Sequence, residues 1–299
     1  MSRISLSPAS HPRVRLPVVE LGNSADGLRV ARVGDTALAM VPKRDGQFFL
    51  ASGWRLSKPL AEWIRDDFYG HGGDIADEEA FRAHVAELAE HERQKAGLHR
   101  QDLFVHSSTP WGSSQGATQY ADGVTFHTTA SHGGFHLAAG YNCRVPTALR
   151  NEAGWYEEDA EWAAVAAGLP DLFTAYERRL ADDTIRNVWP EAWEALHGRA
   201  LLPGESRERD RKAFEQSHRS DWIVISAIRS DHHSGCTEVI ATRGGQRGDA
   251  AASRRFLLAS ADYHIGPFGF VINEAKHAPY DGPSSFAGWS GGAERVGEG

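Results

Sequence analysis

The chain has 299 residues, 41% of them hydrophobic and 24% charged, with 32 Lys and Arg set against 40 Asp and Glu for a formal net charge of −8. That is the balance of a globular chain with a sizeable core. The acidic excess argues against nucleic acid as the main ligand, because phosphate-backbone affinity needs clustered Lys and Arg.

No apolar run approaches the roughly 18 residues needed to cross a bilayer, and the N-terminal stretch lacks an apolar signal segment. The expectation is a cytoplasmic protein with no membrane partner. Cys143 and Cys236 are too few for a disulfide framework or a Cys-rich zinc module and are expected as small buried apolar residues.

In chain order, residues 1–23 carry Pro and Ser without periodicity and read as a loosely held arm. From Gly27 the runs LRVARV, TALAMV and QFFLASGW, with Asp45-Gly46 between the last two, predict a three-stranded meander, since both turn residues tolerate positive φ. A helix is expected near Leu60–Tyr69 and a longer one over Glu78–Lys95 with Asp77 as N-cap. His84, Glu87 and His91 share one face of it, but HVAELAEH is not HExxH, and a charged solvent face is the expectation. The segment Lys95–Gln101 reads as a linker between an N-terminal module, 1–100, and a main domain, 101–299. Beyond it the chain is β-rich to about Ala139, helical from about Glu157 to Phe214, and β-rich again from Trp222 to Ile272. Segregated strands and helices predict an α+β fold with a mainly antiparallel sheet, preceded by a small β-meander and helix module.

The densest chemistry lies in TPWGSSQGATQYADGVTFHTTASHGGFHLAAG, Thr109–Gly140. Alternation over Val124–Ala130 places Val124, Phe126, Thr128 and Ala130 on one face and Thr125, His127 and Thr129 on the other. With a turn at Ser131–Gly134 and Ala130 opposite Phe135, Thr129 faces His136 and His127 lies diagonally near. Gly133-Gly134 would leave amide N–H groups free to cradle an anion. His132 and His136 would lie about 13 Å apart along an extended strand, so a shared metal needs a turn or ligands from elsewhere. The same histidines would equally suit a polar sheet face bonded to threonines.

A second constellation is GWYEEDAEWAAVAAGLP, Gly154–Pro170, where Asp159, Trp162, Ala163 and Ala166 follow helical spacing and Gly168 with Pro170 gives a stop. Glu157, Glu158 and Asp159 would fill the first turn, where carboxylates complement the helix dipole. The alternative is that Glu158 or Asp159 points toward His132 as general base or metal ligand, with Trp155, Tyr156 and Trp162 as walls. A third lies in Asp221–Gly245, where the strands Trp222–Ile228 and Glu238–Thr242 flank a loop, Ser230–Gly235, bearing Asp231, His232 and His233. Arg243, Arg247, Arg254 and Arg255 surround a Gly-rich turn that would hold a phosphate or simply end a solvated hairpin. No GxxxxGK[ST], GxGxxG, GxSxG or CxxC motif is present.

The segments TPWGSSQ (109–115), TASHGGFHL (129–137), VPTALR (145–150), GWYEEDAEW (154–162), IRNVWPEAWE (185–194), PGES (203–206), DWIVISA (221–227), IATRGGQR (240–247) and PFGFVI (267–272) resemble a domain-of-unknown-function family found in phage and proteobacterial plasmid genes. The resemblance runs from about Thr109 to the late 270s. It implies a mobile-element setting and a boundary near residue 100, and it brings no reaction.

From the residues themselves, the first expectation is a hydrolase or transferase acting on a small or nucleotide-like substrate. His132 and His136 would be acid/base or metal groups, with Glu158 or Asp159 as carboxylate partner. A divalent metal would sit among His132, His136 and Asp159. Trp111, Ser131, Gly133, Gly134, Trp155 and Arg243 would contact substrate. The rival is a non-catalytic protein that binds a host defence protein, and a third reading is nucleic-acid binding through the arginines around Gly244.

Overall fold

The computed structural model describes residues 18–248 and 252–286. Two compact units are defined by their internal contacts, Met1–Arg199 and Ala200–Gly299, and the boundary expected near residue 100 falls inside the first. The fold is α+β, and among the described residues every strand pairing is antiparallel. The strands divide among four separate sheets where the sequence suggested one main sheet beside the meander.

The first sheet runs β1 (Val19–Asn23), β2 (Arg29–Val33), β3 (Thr36–Pro42), β4 (Phe48–Trp54) and β5 (Gly70–Ile75) in that spatial order. It exceeds the predicted three strands because Val19–Asn23 forms an edge strand on β2 and Gly70–Ile75 another on β4; residues 1–17 of the expected arm lie outside the described residues. Gly46 at φ 82° makes the β3–β4 turn that Asp45-Gly46 predicted. Period-two alternation sorts β3 into two cores: Ala37, Ala39 and Val41 pack with Trp63 and Phe68, while Leu38 packs with Phe81 and Val85 of α1 (Glu78–Gly97). The predicted helix at Leu60–Tyr69 is two separate 3₁₀ turns, Leu60–Glu62 and Arg65–Asp67, whose function is to plug Trp63 into the sheet. Asp77 caps α1 by accepting from Ala80 N–H at 2.8 Å.

The second sheet has spatial order β12 (Trp155–Glu157), β11 (Gly133–Leu137), β10 (Val124–Thr128), β9 (Gly116–Ala121) and β6 (Gln101–Leu103). A small ribbon, β7 (Ser108–Thr109) with β8 (Gly112–Ser113), precedes β9. Between β11 and β12 lies the single turn α2 (Ala139–Asn142), where Cys143 at its end is exposed, not buried as expected. Phe126, Phe135, Tyr120 and Phe173 form an edge-to-face cluster beneath the sheet. Against it packs α3 (Trp162–Gly168) through Ala163–Ala166, all buried, with α4 (Ala175–Val188) on α3 and α5 (Pro190–His197) on α4.

The His84, Glu87 and His91 face of α1 is not a solvent face. His91 Nδ1 meets Thr174 Oγ1 at 2.8 Å, and Glu87 pairs with Arg179 at 2.9 Å, so this stripe docks on α4. The segment expected as a linker is tied in as well. Arg100 forks onto Glu177 at 2.7 and 2.8 Å, bonds Leu172 O, and lies 4.0 Å over the Tyr120 ring.

The second unit carries α6 (Arg207–Ser217), capped by Ser206, and a three-stranded sheet of β13 (Trp222–Arg229), β14 (Cys236–Arg243) and β15 (Ser253–Ala259). Its core gathers Trp222, Val239, Ala241, Phe256, Leu258 and Ile272. No described helix is long and apolar enough to cross a membrane.

Burial opposes the charge on Glu177, but the Arg100 hydrogen bonds and Thr174 N–H overcome it and hold the carboxyl below its ordinary value. A depressed carboxylate stabilises the fold above its unfolded value and loses that contribution as pH falls through the folded value. Glu177→Gln should therefore destabilise the protein by about 3 kcal/mol at pH 7 in urea unfolding, because Arg100 is left nearly buried and unpaired. The difference from wild type should shrink as pH drops below about 4.

Candidate functional site

The β10–β11 hairpin turns two residues earlier than its sequence suggested. Thr125 pairs with His136, Phe126 with Phe135 and Thr128 with Gly133, so Ala130 does not oppose Phe135 and Thr129 does not oppose His136. Sliding the pairing by an even number leaves each side chain on its expected face. The turn is Thr129–His132: Thr129 N–H and Oγ1 both donate to His132 O, at 2.8 and 2.7 Å. His132 is thereby fixed at the end of β11 with its side chain about half exposed.

Gly133 and Gly134 belong to the strand, not to the turn, and both are buried. Their role is close packing, not an open anion cradle. A Cβ on Gly134 would lie 2.3 Å from Trp111 and 2.3 Å from Tyr156 O; one on Gly133 would lie 2.5 Å from Glu158 Oε2. The Trp111 ring thus comes up against the strand at Gly134, and the Glu158 carboxylate lies beside Gly133.

Residues 155–157 are an edge strand and α3 begins only at Trp162, so the expected helical first turn at Glu157–Asp159 is absent. The β-branch won because this segment can bond to β11: Gly134 pairs with Glu157 and His136 with Trp155, and Glu158 N–H reaches Gly133 O at 3.0 Å. A buried network secures the start of β12. Tyr156 Oη donates to Asn142 Oδ1 at 2.6 Å, Asn151 N–H donates to Tyr156 Oη, and Asn142 Nδ2 donates to Asn151 O.

The result is a cluster of His132, Glu157 and Glu158, with one ligand atom of each within 4.8 Å of the others. His132 Nδ1 lies 3.8 Å from Glu157 Oε1. Glu157 Oε2 accepts from Asp159 N–H at 2.7 Å, while Oε1 is buried without any hydrogen-bond partner. An imidazole nitrogen and two carboxylates form a mixed N/O donor set of the kind that holds divalent metals.

Among the expected site residues, His132 and Glu158 come together. Asp159 is exposed and takes part through its backbone alone. His136 is not in the cluster; its ring packs at a tilt against Trp155 at 4.4 Å, and Trp155 meets Trp111 edge-on at 5.8 Å. Ser131 is exposed in the turn. Glu157 was noticed only as a helix-dipole residue. A cross-strand reading of WYE beside GGFHL would have exposed it.

His127 is buried beneath this face. Burial, reinforced by the charge of neighbouring His136, holds its imidazole below the ordinary value, so it stays neutral near pH 7. Ser114 Oγ donates to Gly116 O at 2.9 Å and meets His127 Nδ1 at 3.2 Å. With the hydroxyl proton committed, Nδ1 carries the ring proton, and Nε2 is left as acceptor.

The third constellation is structural. Ser230 Oγ accepts from the N–H groups of His232 and His233, and His233 Nε2 meets Tyr280 Oη at 3.1 Å. The four arginines are each engaged within the unit: Arg243 covers Trp222 at 4.2 Å and donates to Ser220 O, Arg254 lies 5.1 Å over the same indole, Arg247 donates to Ile225 O, and Arg255 pairs with buried Glu238.

Residues 105–219 match the model of a family described as Domain of unknown function (DUF7007). That span contains the hairpin, β12 and the whole carboxylate and imidazole cluster. No curated protein and no solved structure matches the chain.

Gly134→Ala should destabilise the protein by about 2 kcal/mol through overpacking. Thermal unfolding of the Trp111→Ala/Gly134→Ala double variant should show no rescue, because the Tyr156 carbonyl still meets the new methyl group. Full recovery would mean that the indole alone sets the constraint.

Proposed function

We propose that the region matching the unknown-function family is a divalent-metal-dependent hydrolase or transferase for a small or nucleotide-like substrate. His132, Glu157 and Glu158 are its metal ligands. The observation that carries this reading is the buried, unpartnered Glu157 Oε1 facing an imidazole 3.8 Å away. Two anionic ligands and one neutral nitrogen leave coordination positions on the exposed side for water and substrate, as in catalytic sites. A metal bound there would lower the pKa of its water and polarise a carbonyl or phosphoryl oxygen. Trp111 and Trp155, both half-buried on the same face, offer apolar walls, and His136 and the open Nε2 of His127 offer proton acceptors. The reading includes the cytoplasmic location and mobile-element setting that the sequence implies.

Isothermal titration with Mn²⁺ and with Zn²⁺ tests it. One ion should bind per chain, and His132→Ala or Glu157→Gln should weaken binding by more than about tenfold, the lower end of what loss of a mere outer-shell partner does. Asp159→Asn should bind as wild type. Absence of binding by either ion, or equal binding in all three variants, overturns the proposal.

A further inference from the structure

A cavity of about 740 Å³, lined by none of the His132 cluster residues, lies within the first unit. Its walls are the β2–β3 turn, the end of β4, the last turns of α1, β6 and β9. That volume is in the range of sites for small organic molecules.

Pairing the charges around it leaves a defined remainder. Asp35 is bound to Arg55 at 2.9 Å, Glu92 to Lys95 at 3.5 Å, and Arg100 to Glu177 at 2.7 Å. Asp102 accepts from Thr118 Oγ1 at 2.9 Å and has no cationic partner among the described residues. The cavity therefore contains one carboxylate whose charge the protein does not answer. Its other distinctive wall is Trp54, an indole left 52% exposed, with the Arg55 guanidinium 5.7 Å from its ring centroid, where the other described tryptophans are buried or half-buried. The C-terminal end of the 20-residue helix α1 also faces it through Glu92, Lys95 and Ala96, and a helix C-terminus carries partial negative charge.

A lone carboxylate, an exposed indole and a negative helix end together favour a cation with an apolar body. The ammonium would pair with the carboxylate, and the apolar body would lie on the exposed part of the indole that Arg55 leaves free. The protein already uses this chemistry on the neighbouring wall, where the Arg100 guanidinium lies 4.0 Å over Tyr120. We propose that this cavity is a second ligand site, specific for a protonated organic amine bearing an apolar or aromatic body. Asp102 is its charge partner and Trp54 its platform. The proposal is independent of the metal-site reading.

Phenethylamine is the probe, with phenylacetate as the same body carrying the opposite charge. By isothermal titration on the full chain, phenethylamine should bind and phenylacetate should not. Asp102→Asn changes one exposed side chain with little change in shape, and it should weaken phenethylamine binding by about three- to fivefold, the scale of one exposed ion pair. Trp54→Ala should weaken it to a similar extent, whereas Trp54→Phe should retain most of it. No phenethylamine binding at millimolar concentration, equal binding of phenylacetate, or an Asp102→Asn affinity equal to wild type would each overturn the assignment.

Discussion

The candidate site depends on one steric constraint: the absence of side chains at Gly133 and Gly134. Backbone without Cβ atoms lets the Trp111 indole, the Tyr156 carbonyl and the Glu158 carboxylate all approach β11 to distances that any larger residue would forbid. Because β12 can then pair closely with β11, Glu157 and Glu158 arrive beside the turn that fixes His132. Elsewhere glycine serves the turn itself, as Gly46 does; here it serves proximity between neighbouring strands.

Much of the fold could be read from the chain. The meander, its Asp-Gly turn, the Asp77-capped helix and the hairpin faces all followed from period-two or period-3.6 patterns acting locally. What escaped was decided by partners distant in sequence. Residues 155–157 look like the acidic start of a helix, and locally they would be one; the hydrogen bonds offered by β11 make them a strand. Lys95–Gln101 looks like a polar linker until Glu177 supplies the bidentate partner that takes Arg100 out of solvent. His91 reads as a solvent residue until Thr174 is beside it. The hairpin register shows the same limit: alternation fixed which face each residue occupies and could not fix which residue stands opposite.

The candidate site was legible to the same degree. Three histidines on a short ribbon located it, and His132 with Glu158 was among the pairs the spacing allowed. Glu157 was missed because its significance lies in cross-strand geometry. His136 packs against Trp155 instead, outside the donor set.

The way the molecule treats its other carboxylates gives the cluster its meaning. Glu238 is fully buried in the second unit, and it accepts from Arg255 at 2.8 Å, Ser284 Oγ at 2.7 Å and Ser285 N–H at 2.8 Å; both its oxygens are served. Glu177 accepts from both Arg100 Nη groups and from Thr174 N–H. Where carboxylates act as architecture, this chain surrounds them with donors, as desolvated charge requires. Glu157 departs from that practice at one atom, Oε1, which is dry, unserved and turned toward an imidazole. A buried acceptor left bare costs about 1–3 kcal/mol unless something outside the chain satisfies it. A cation held jointly with His132 and Glu158 would satisfy that acceptor and would draw on the neighbouring groups that the glycine pair brings into reach.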